Sequence, residues 1–309
     1  MTTLLIEDPL FRRHVMPEGH PERPARLEAI EQVLAQEQFA ALVREKAVRA
    51  DPSAAALAHT AAYVERICGT VPGETFHFFD ADTPMSGESI DVALHAVGSA
   101  LRAVDGVMTG QFANAFVAAR PPGHHAEIDT AMGFCFFNNI AIAARHAQKV
   151  HGAERIAIID WDVHHGNGTQ DIFWADKSVL FCSTHEMPLY PGSGAKNETG
   201  EHNTIVNVPL QAGDDGEVFS DHVRSVIIPR VLDHSPDLIL ISAGFDAHER
   251  DPLGNVRLVE RDFAWATEEL MEAAVRRCKG RVVSLLEGGY DLRGLAFSVG
   301  AHVRTLMGA

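Results

Sequence analysis

Cysteine is scarce: only Cys68, Cys135, Cys182 and Cys278 occur, and no two of them form a Cys-x-x-Cys pair. That excludes a disulfide scaffold and a cysteine-built zinc site, and it points to reduced thiols in a cytoplasmic protein. No stretch approaches the roughly 18 consecutive apolar residues that a membrane helix needs. Residues 1–10 carry Glu7 and Asp8 and no basic region ahead of an apolar one, so no secretion signal is expected. Basic residues are few as well. The 26 Lys and Arg stand against 42 Asp and Glu, a formal charge of -16 that leaves no general basic surface to displace nucleic-acid counterions. An acidic surface attracts cationic substrates, and it serves solubility equally well. Neither Gly-x-Ser-x-Gly nor Gly-x-x-x-x-Gly-Lys occurs, so a serine hydrolase and a phosphate-loop nucleotide binder lack support. Internal repeats and low-complexity tracts are also missing.

What the chain does have is an alternation of apolar runs with helical spacing over 309 residues, 46% of them hydrophobic. Strands are expected at 3–6, 113–119, 156–160, 179–183, 204–208, 238–242 and 282–286. Helices are expected at 24–39, 59–68, 89–107, 134–150, near Asp171, and at 218–232, 262–277 and 292–306. Residues 69–83, interrupted by Pro72 and Gly73, read as a long loop, and the segment from His14 through Gly19 to Arg26 as a surface connection. The pattern predicts an α/β fold, a single domain over 1–309 with a mainly parallel central sheet and helices on both faces.

Chemically capable residues follow the apolar runs. They include His124 and His125, the stretch Asp160-Trp161-Asp162-Val163-His164-His165-Gly166-Asn167-Gly168, Ser183-Thr184-His185, Asp246, and Glu287-Gly288-Gly289-Tyr290. Carboxyl ends of parallel strands share one edge, so these five segments should converge. If the strand continues to His164, Asp160, Asp162 and His164 point the same way. Asp162, His164 and Asp246 offer two carboxylates and an imidazole, a donor set that holds a zinc-sized ion with positions left for water and substrate. Each has an ordinary structural reading, an Asp pair at a strand end being often a helix cap, and the case rests on convergence. A dication between two carboxylates is formally neutral and needs a separate base, for which His124 and His125 suit. A carboxylate partner raises one imidazole's basicity, whereas an amide such as Asn167 only orients the other. Tyr290 after two glycines offers a phenol to a carbonyl oxygen gaining charge.

Together, Arg120-Pro-Pro-Gly-His-His-Ala126, Gly133-Phe-Cys-Phe-Phe-Asn-Asn139, Asp160-x-Asp-x-His-His-Gly-Asn-Gly168, Ala243-Gly-Phe-Asp-Ala247 and Leu286-Glu-Gly-Gly-Tyr290 resemble the zinc-dependent histone deacetylase family. The likeness covers nearly the whole chain and is closest to the class II and bacterial deacetylase-like branch, which also holds acetylpolyamine amidohydrolases. It implies the arginase/deacetylase fold and hydrolysis of an N-acyl amide. It implies zinc on Asp162, His164 and Asp246, with ferrous iron compatible, and the pairs His124 with Asp160 and His125 with Asn167. Asn167 is Asp in class I members. Which histidine acts as base stays open. By the same likeness Tyr290 polarises the acetyl carbonyl, Gly133, Phe134 and Tyr190 wall a channel, Asp82 sits at its rim, and Arg26 lies near an inner acetate-release cavity. Two structural potassium sites are implied, one lined by Asp160, Asp162, His164, Ser183 and Thr184, the other by Phe173, Asp176 and Val179. Leu253 replaces a Glu found in a polyamine-selective relative, which favours an acetyl-lysine-like substrate.

Acetylated lysine peptides and small acylated amines are therefore the expected substrates, with no nucleic acid or membrane partner and self-association left open. Three other readings compete. A magnesium phosphatase with an aspartyl nucleophile leaves Pro-Pro-Gly-His-His without a role, and a manganese ureohydrolase requires more ligands. A non-catalytic acyl-lysine binding module has no need of Tyr290 and both histidines.

Overall fold

The computed structural model describes residues 2–73 and 75–308. Met1, Glu74 and Ala309, which the expectation of one domain over 1–309 includes, lie outside the described residues. The strands in chain order are β1 (Thr3–Glu7), β2 (Val43–Glu45), β3 (His77–Phe78), β4 (Pro84–Met85), β5 (Asn114–Ala118), β6 (Ile156–Asp160), β7 (Val179–Glu186), β8 (Ile205–Leu210), β9 (Leu238–Ala243) and β10 (Val282–Leu286). The helices are α1 (Ala25–Leu34), α2 (Ala61–Gly69), α3 (Ser89–Met108), α4 (Asn139–His151), α5 (Asn167–Phe173), α6 (Gly216–His222), α7 (Ile228–His234), α8 (Glu260–Cys278) and α9 (Leu292–Leu306).

Segments apolar on both faces form the middle of the sheet, because neither face can be left to water. β5, β6, β7, β9 and β10 are buried along their whole length. The eight-stranded sheet runs β2-β1-β5-β10-β9-β6-β7-β8, and every pairing in it is parallel. On one face α1, α9, α8 and α7 pack in sequence, and α3 packs on α4 on the other. The chain runs outward from β6 through β7 to β8, then returns to lay β9 on the other side of β6. That reversal opens a crevice at the carboxyl ends of β6 and β9. Among the described residues no helix is long and apolar enough to cross a membrane.

Several expected boundaries move. The helix expected over 24–39 stops at Leu34, since Gln36 is extended and Phe39 falls in a short 3-10 turn. The helix expected from 134 begins at Asn139: Gly133 and Phe134 are left-handed (φ 56° and 70°), and the Asn138 side chain caps the helix by accepting from Ala141 N at 2.9 Å. Apolar Phe136 and Phe137 imitate helical spacing while plugging the core from a loop. The run expected over 218–232 is interrupted by a π turn at Val223–Ile227, just ahead of Pro229, which has no N–H for the regular ladder. Within the loop expected over 69–83, β3 pairs antiparallel with β4. β2 was not expected at all; it is short, polar and on the sheet edge.

Candidate active site

β6 ends at Asp160, so the condition for Asp160, Asp162 and His164 to share a strand face, a strand continuing to His164, is not met. They are brought together by a turn in which each carboxylate accepts from the backbone two residues on. Asp162 N donates to Asp160 Oδ1 at 3.0 Å, and His164 N to Asp162 Oδ1 at 2.9 Å. Asp246, after neighbouring β9, meets them: His164 Nδ1 lies 3.0 Å from Asp162 Oδ1 and 3.2 Å from Asp246 Oδ2. One ring proton cannot serve two carboxylates, and Asp246 Oδ2 is left buried without a hydrogen bond. One donor atom from each of Asp162, His164 and Asp246 lies within 4.8 Å of the others, and all three residues are buried. Two negative oxygens, that of Asp246 orphaned, and one imidazole nitrogen fit a divalent cation better than they fit an internal hydrogen-bond network. Gly288 makes this possible, because a Cβ there would strike the carboxylates of Asp246 and Asp162; its N–H instead donates to Asp162 Oδ2 at 2.8 Å.

His124 and His125 follow β5, their ring centroids 4.0 Å apart. His124 Nδ1 contacts Asp160 Oδ2 at 2.9 Å, and His125 Nδ1 contacts Asn167 Oδ1 at 2.8 Å. Asn167 Nδ2 donates to Glu127 Oε1 at 2.8 Å, which turns the amide so that only its oxygen faces His125. His125 therefore carries its proton on Nδ1 and leaves Nε2 as the free base. The two rings differ in proton affinity. Burial opposes the charged form of His124, but Asp160 and Asp162 outweigh it and raise the ring to about 10. Burial, reinforced by His124 and His164, drives His125 well below the usual range.

A cavity of about 390 Å³ leads to this centre. Gly133, Phe134, Tyr190, Leu253 and Asp82 line it with His125, His164 and Tyr290. Gly133 backs directly onto the His125 ring, leaving no room for a side chain. Tyr190 stands edge-on to His125 at 5.1 Å, and Phe134 edge-on to Tyr290 at 6.0 Å. Burial and then Asp246 raise the Tyr290 phenol well above its usual value, so it stays a proton donor. Behind it lies Arg26, fully buried, its guanidinium 5.0 Å from the Tyr290 ring centroid and its Nε donating to Gly289 O at 2.6 Å.

Of the residues implied for the first potassium site, Asp160 on β6 is in register with Ser183 on β7, which is followed by buried Thr184. Phe173, Asp176 and Val179 share the short turn from α5 to β7, where Asp176 N donates to Phe173 O at 3.0 Å.

Some participants escaped the sequence reading. The segment around His20 is no mere surface connection: His20 and Pro21 line the cavity, with His20 Nε2 3.2 Å from Asp82 O, and Glu22 is fully buried between Arg26 and Arg120. Its concentration of prolines with charged residues was the available signal. Glu287, expected only as one of the polar residues after a strand, accepts from Gly123 N at 2.7 Å and His124 N at 3.2 Å, fixing the histidine loop from the end of the neighbouring strand β10. Asp251 accepts from Leu253 N at 3.0 Å and Tyr290 N at 2.7 Å, tying the channel wall to the phenol. These act through main-chain atoms distant in sequence, which no local pattern reveals.

A histone deacetylase domain matches residues 20–306 of the chain. The chain is 40% identical over 304 residues to an uncharacterized protein of Synechocystis sp., covering 96% of this chain and 97% of the relative. It is 38% identical over 302 residues to a probable deacetylase of Archaeoglobus fulgidus, covering 95% and 83%. Among solved structures, the HDA15 HD domain superposes with a TM-score of 0.94 at 36% identity, covering 100% of this chain and 89% of that one. A match of this extent, over a fold and a site that agree with it, places the chain in the histone deacetylase family, whose members are hydrolases.

Proposed function

We propose that this hydrolase removes acyl groups from N-acyl amides, with acetyl-lysine side chains as its principal substrate. The observation that carries the reading is the apolar-walled cavity ending on a histidine pair and on Asp162, His164 and Asp246. In this reading those three residues hold zinc, with ferrous iron the alternative occupant. Bound there, the ion supplies a positive charge that polarises the amide carbonyl and acidifies water. His125, neutral with a free Nε2, takes a proton from the attacking water, and His124, held protonated by Asp160, gives one to the departing amine. Tyr290 donates its phenolic hydrogen to the carbonyl oxygen as charge builds on it. Phe134, Tyr190 and Gly133 enclose the aliphatic stem, and water is excluded along it. Arg26, behind Tyr290, stands where the released acid would leave. Potassium ions on the Asp160, Asp162, His164, Ser183 and Thr184 set and on the Phe173, Asp176 and Val179 set would brace the loops of β6 and β7. The chain works as one catalytic unit in the cytoplasm, on peptides or small amines rather than on nucleic acid or membranes.

Acetylpolyamines are the second reading, favoured by Asp80 and Asp82 near the channel mouth. Burial and then Asp80 push Asp82 up to about 6, and its Oδ1 is buried without a partner, as expected of a group awaiting a cation. Leu253 opposes it, presenting an apolar wall where a second ammonium would need a carboxylate. The deciding experiment offers zinc-loaded protein an acetyl-lysine peptide and an acetylated polyamine side by side. A preference for the peptide is expected. A polyamine preference above about tenfold, near 1.4 kcal/mol of transition-state binding, would reverse the substrate assignment. Binding without acetate release from any acyl amide would mean a binding module. Asp162→Ala is expected to lose the metal itself, measured by elemental analysis after dialysis.

A further inference from the structure

Toward the far ends of α3 and α4, away from the channel, three side chains meet between the two helices. His146 Nε2 and His151 Nε2 on α4 each lie 2.7 Å from the same oxygen, Oδ1, of Asp105 on α3. The two rings are 5.8 Å apart between centroids, and both imidazoles are largely covered, 13% and 15% exposed. Taking one donor atom from each residue, the three atoms lie within 4.8 Å of one another. Gly152, left-handed at φ 66°, closes α4 immediately after His151. Among the described residues no Lys or Arg forms an ion pair with Asp105; Arg102, one turn earlier on α3, is committed to Glu45 at 2.8 and 2.6 Å.

We propose that Asp105, His146 and His151 form a second divalent-metal site, of the zinc and nickel class, that staples α3 to α4. Two imidazole nitrogens and one carboxylate oxygen are the donors such ions take, and three protein ligands leave a position for water. Tetrahedral ligands at about 2.1 Å from an ion stand about 3.4 Å apart, so the 2.7 Å contacts need to open by well under an ångström, within reach of the half-exposed Asp105 side chain. Without an ion, both rings must adopt the same tautomer to donate to one oxygen. With an ion, Oδ1 would step back from the point on which both rings converge, leaving that point to the metal and both lone pairs free to bind it. The site lies at the opposite ends of α3 and α4 from the channel, so its role is to hold the helix pair together rather than to act on substrate. This inference does not depend on the reaction proposed above.

The test is zinc stoichiometry. Protein stripped of metal, loaded with Zn²⁺ and dialysed is compared with the double variant His146→Gln/His151→Gln. The variant is expected to retain one equivalent fewer than wild type, to lose the part of the zinc-dependent rise in Tm that the outer ion contributes, and to keep its deacylase activity. Equal zinc content in the two proteins overturns the proposal. Loss of an equivalent in Asp162→Ala tests the channel site separately, so the two assignments fail independently. A measurement on wild type alone guards against a poorly folding variant. Zn²⁺ should shield His146 and His151 from diethyl pyrocarbonate while exposed His202 is labelled as before, and unchanged labelling of the pair would also overturn it.

Discussion

At the scale of single residues, the site is governed by partners that set each group's proton. Tyr290 is kept protonated by burial and by Asp246. Tyr290→Phe keeps the ring's packing against Phe134 and Arg26 and removes only the donor. Turnover should fall by about 10²- to 10³-fold, the usual cost of one donor to a developing oxyanion, with metal content unchanged; wild-type kcat in the variant would remove the phenol from the mechanism. Asn167→Asp places a carboxylate on His125 Nδ1 where there is now an amide oxygen. That raises the affinity of His125 for a second proton, so the free base appears only at higher pH. The acid limb of the kcat/KM profile should move upward, and a shift downward or none at all would mean that His125 is not the base. Asp162, His164, Asp246 and the histidine pair were legible in the sequence because each follows an apolar run that had to be a buried strand. Asp251 was not, and Glu287 was legible in place but not in role, since both work on backbone N–H groups brought near only by the finished sheet.

At the scale of elements, the entry to α1 is locked by a buried ionic cluster. Glu22 is fully buried and contacts Arg26 and Arg120, with Arg26 Nη1 to Glu22 Oε1 at 2.9 Å and Arg120 Nη2 to Glu22 Oε2 at 2.7 Å. Burial alone would raise its carboxyl, but the two guanidiniums, Arg120 foremost, hold it well below the carboxylate range. Glu22→Gln leaves two buried cations uncompensated and should cost about 3–5 kcal/mol, read as a lower denaturant midpoint. A loss below about 1 kcal/mol, the value of an exposed pair, would show the cluster to be solvated. The central strands were legible for a simple reason: continuous burial writes itself as continuous apolarity. β2 was not, because a three-residue edge strand with Arg44 and Glu45 carries no such pattern. The start of α4 was misread because Phe136 and Phe137 are buried from a loop, and apolarity reports burial rather than conformation.

At the scale of the molecule, several imidazoles are buried so deeply that desolvation wins even where a carboxylate is near, as Glu22 is to His14 at 3.5 Å. Burial lowers His14 to about 3, His59 to about 4, His165 to about 3, His185 to about 4 and His302 to about 3, from an ordinary 6.5. Between those values the unfolded chain binds protons that the folded one refuses, so stability falls as pH drops below about 6.5. Each such histidine contributes up to about 1.4 kcal/mol per pH unit. A few together would exhaust a typical 5–15 kcal/mol within about two units. Denaturant midpoints should therefore decline steeply from pH 7 to 5. His302, held by Thr267 Oγ1 at 2.6 Å and Ser284 Oγ at 2.9 Å, is a clean probe, and His302→Gln should flatten the slope by about one proton; an unchanged slope would sink this account. The reversal that lays β9 beside β6 has a further consequence. A cut in the Gly213 turn after β8 would leave Asp162 and His164 on one fragment, and Asp246 with Tyr290 on the other. Neither piece alone would turn over substrate, and regained activity on mixing the two would report directly on reassembly of the seam between those neighbouring strands.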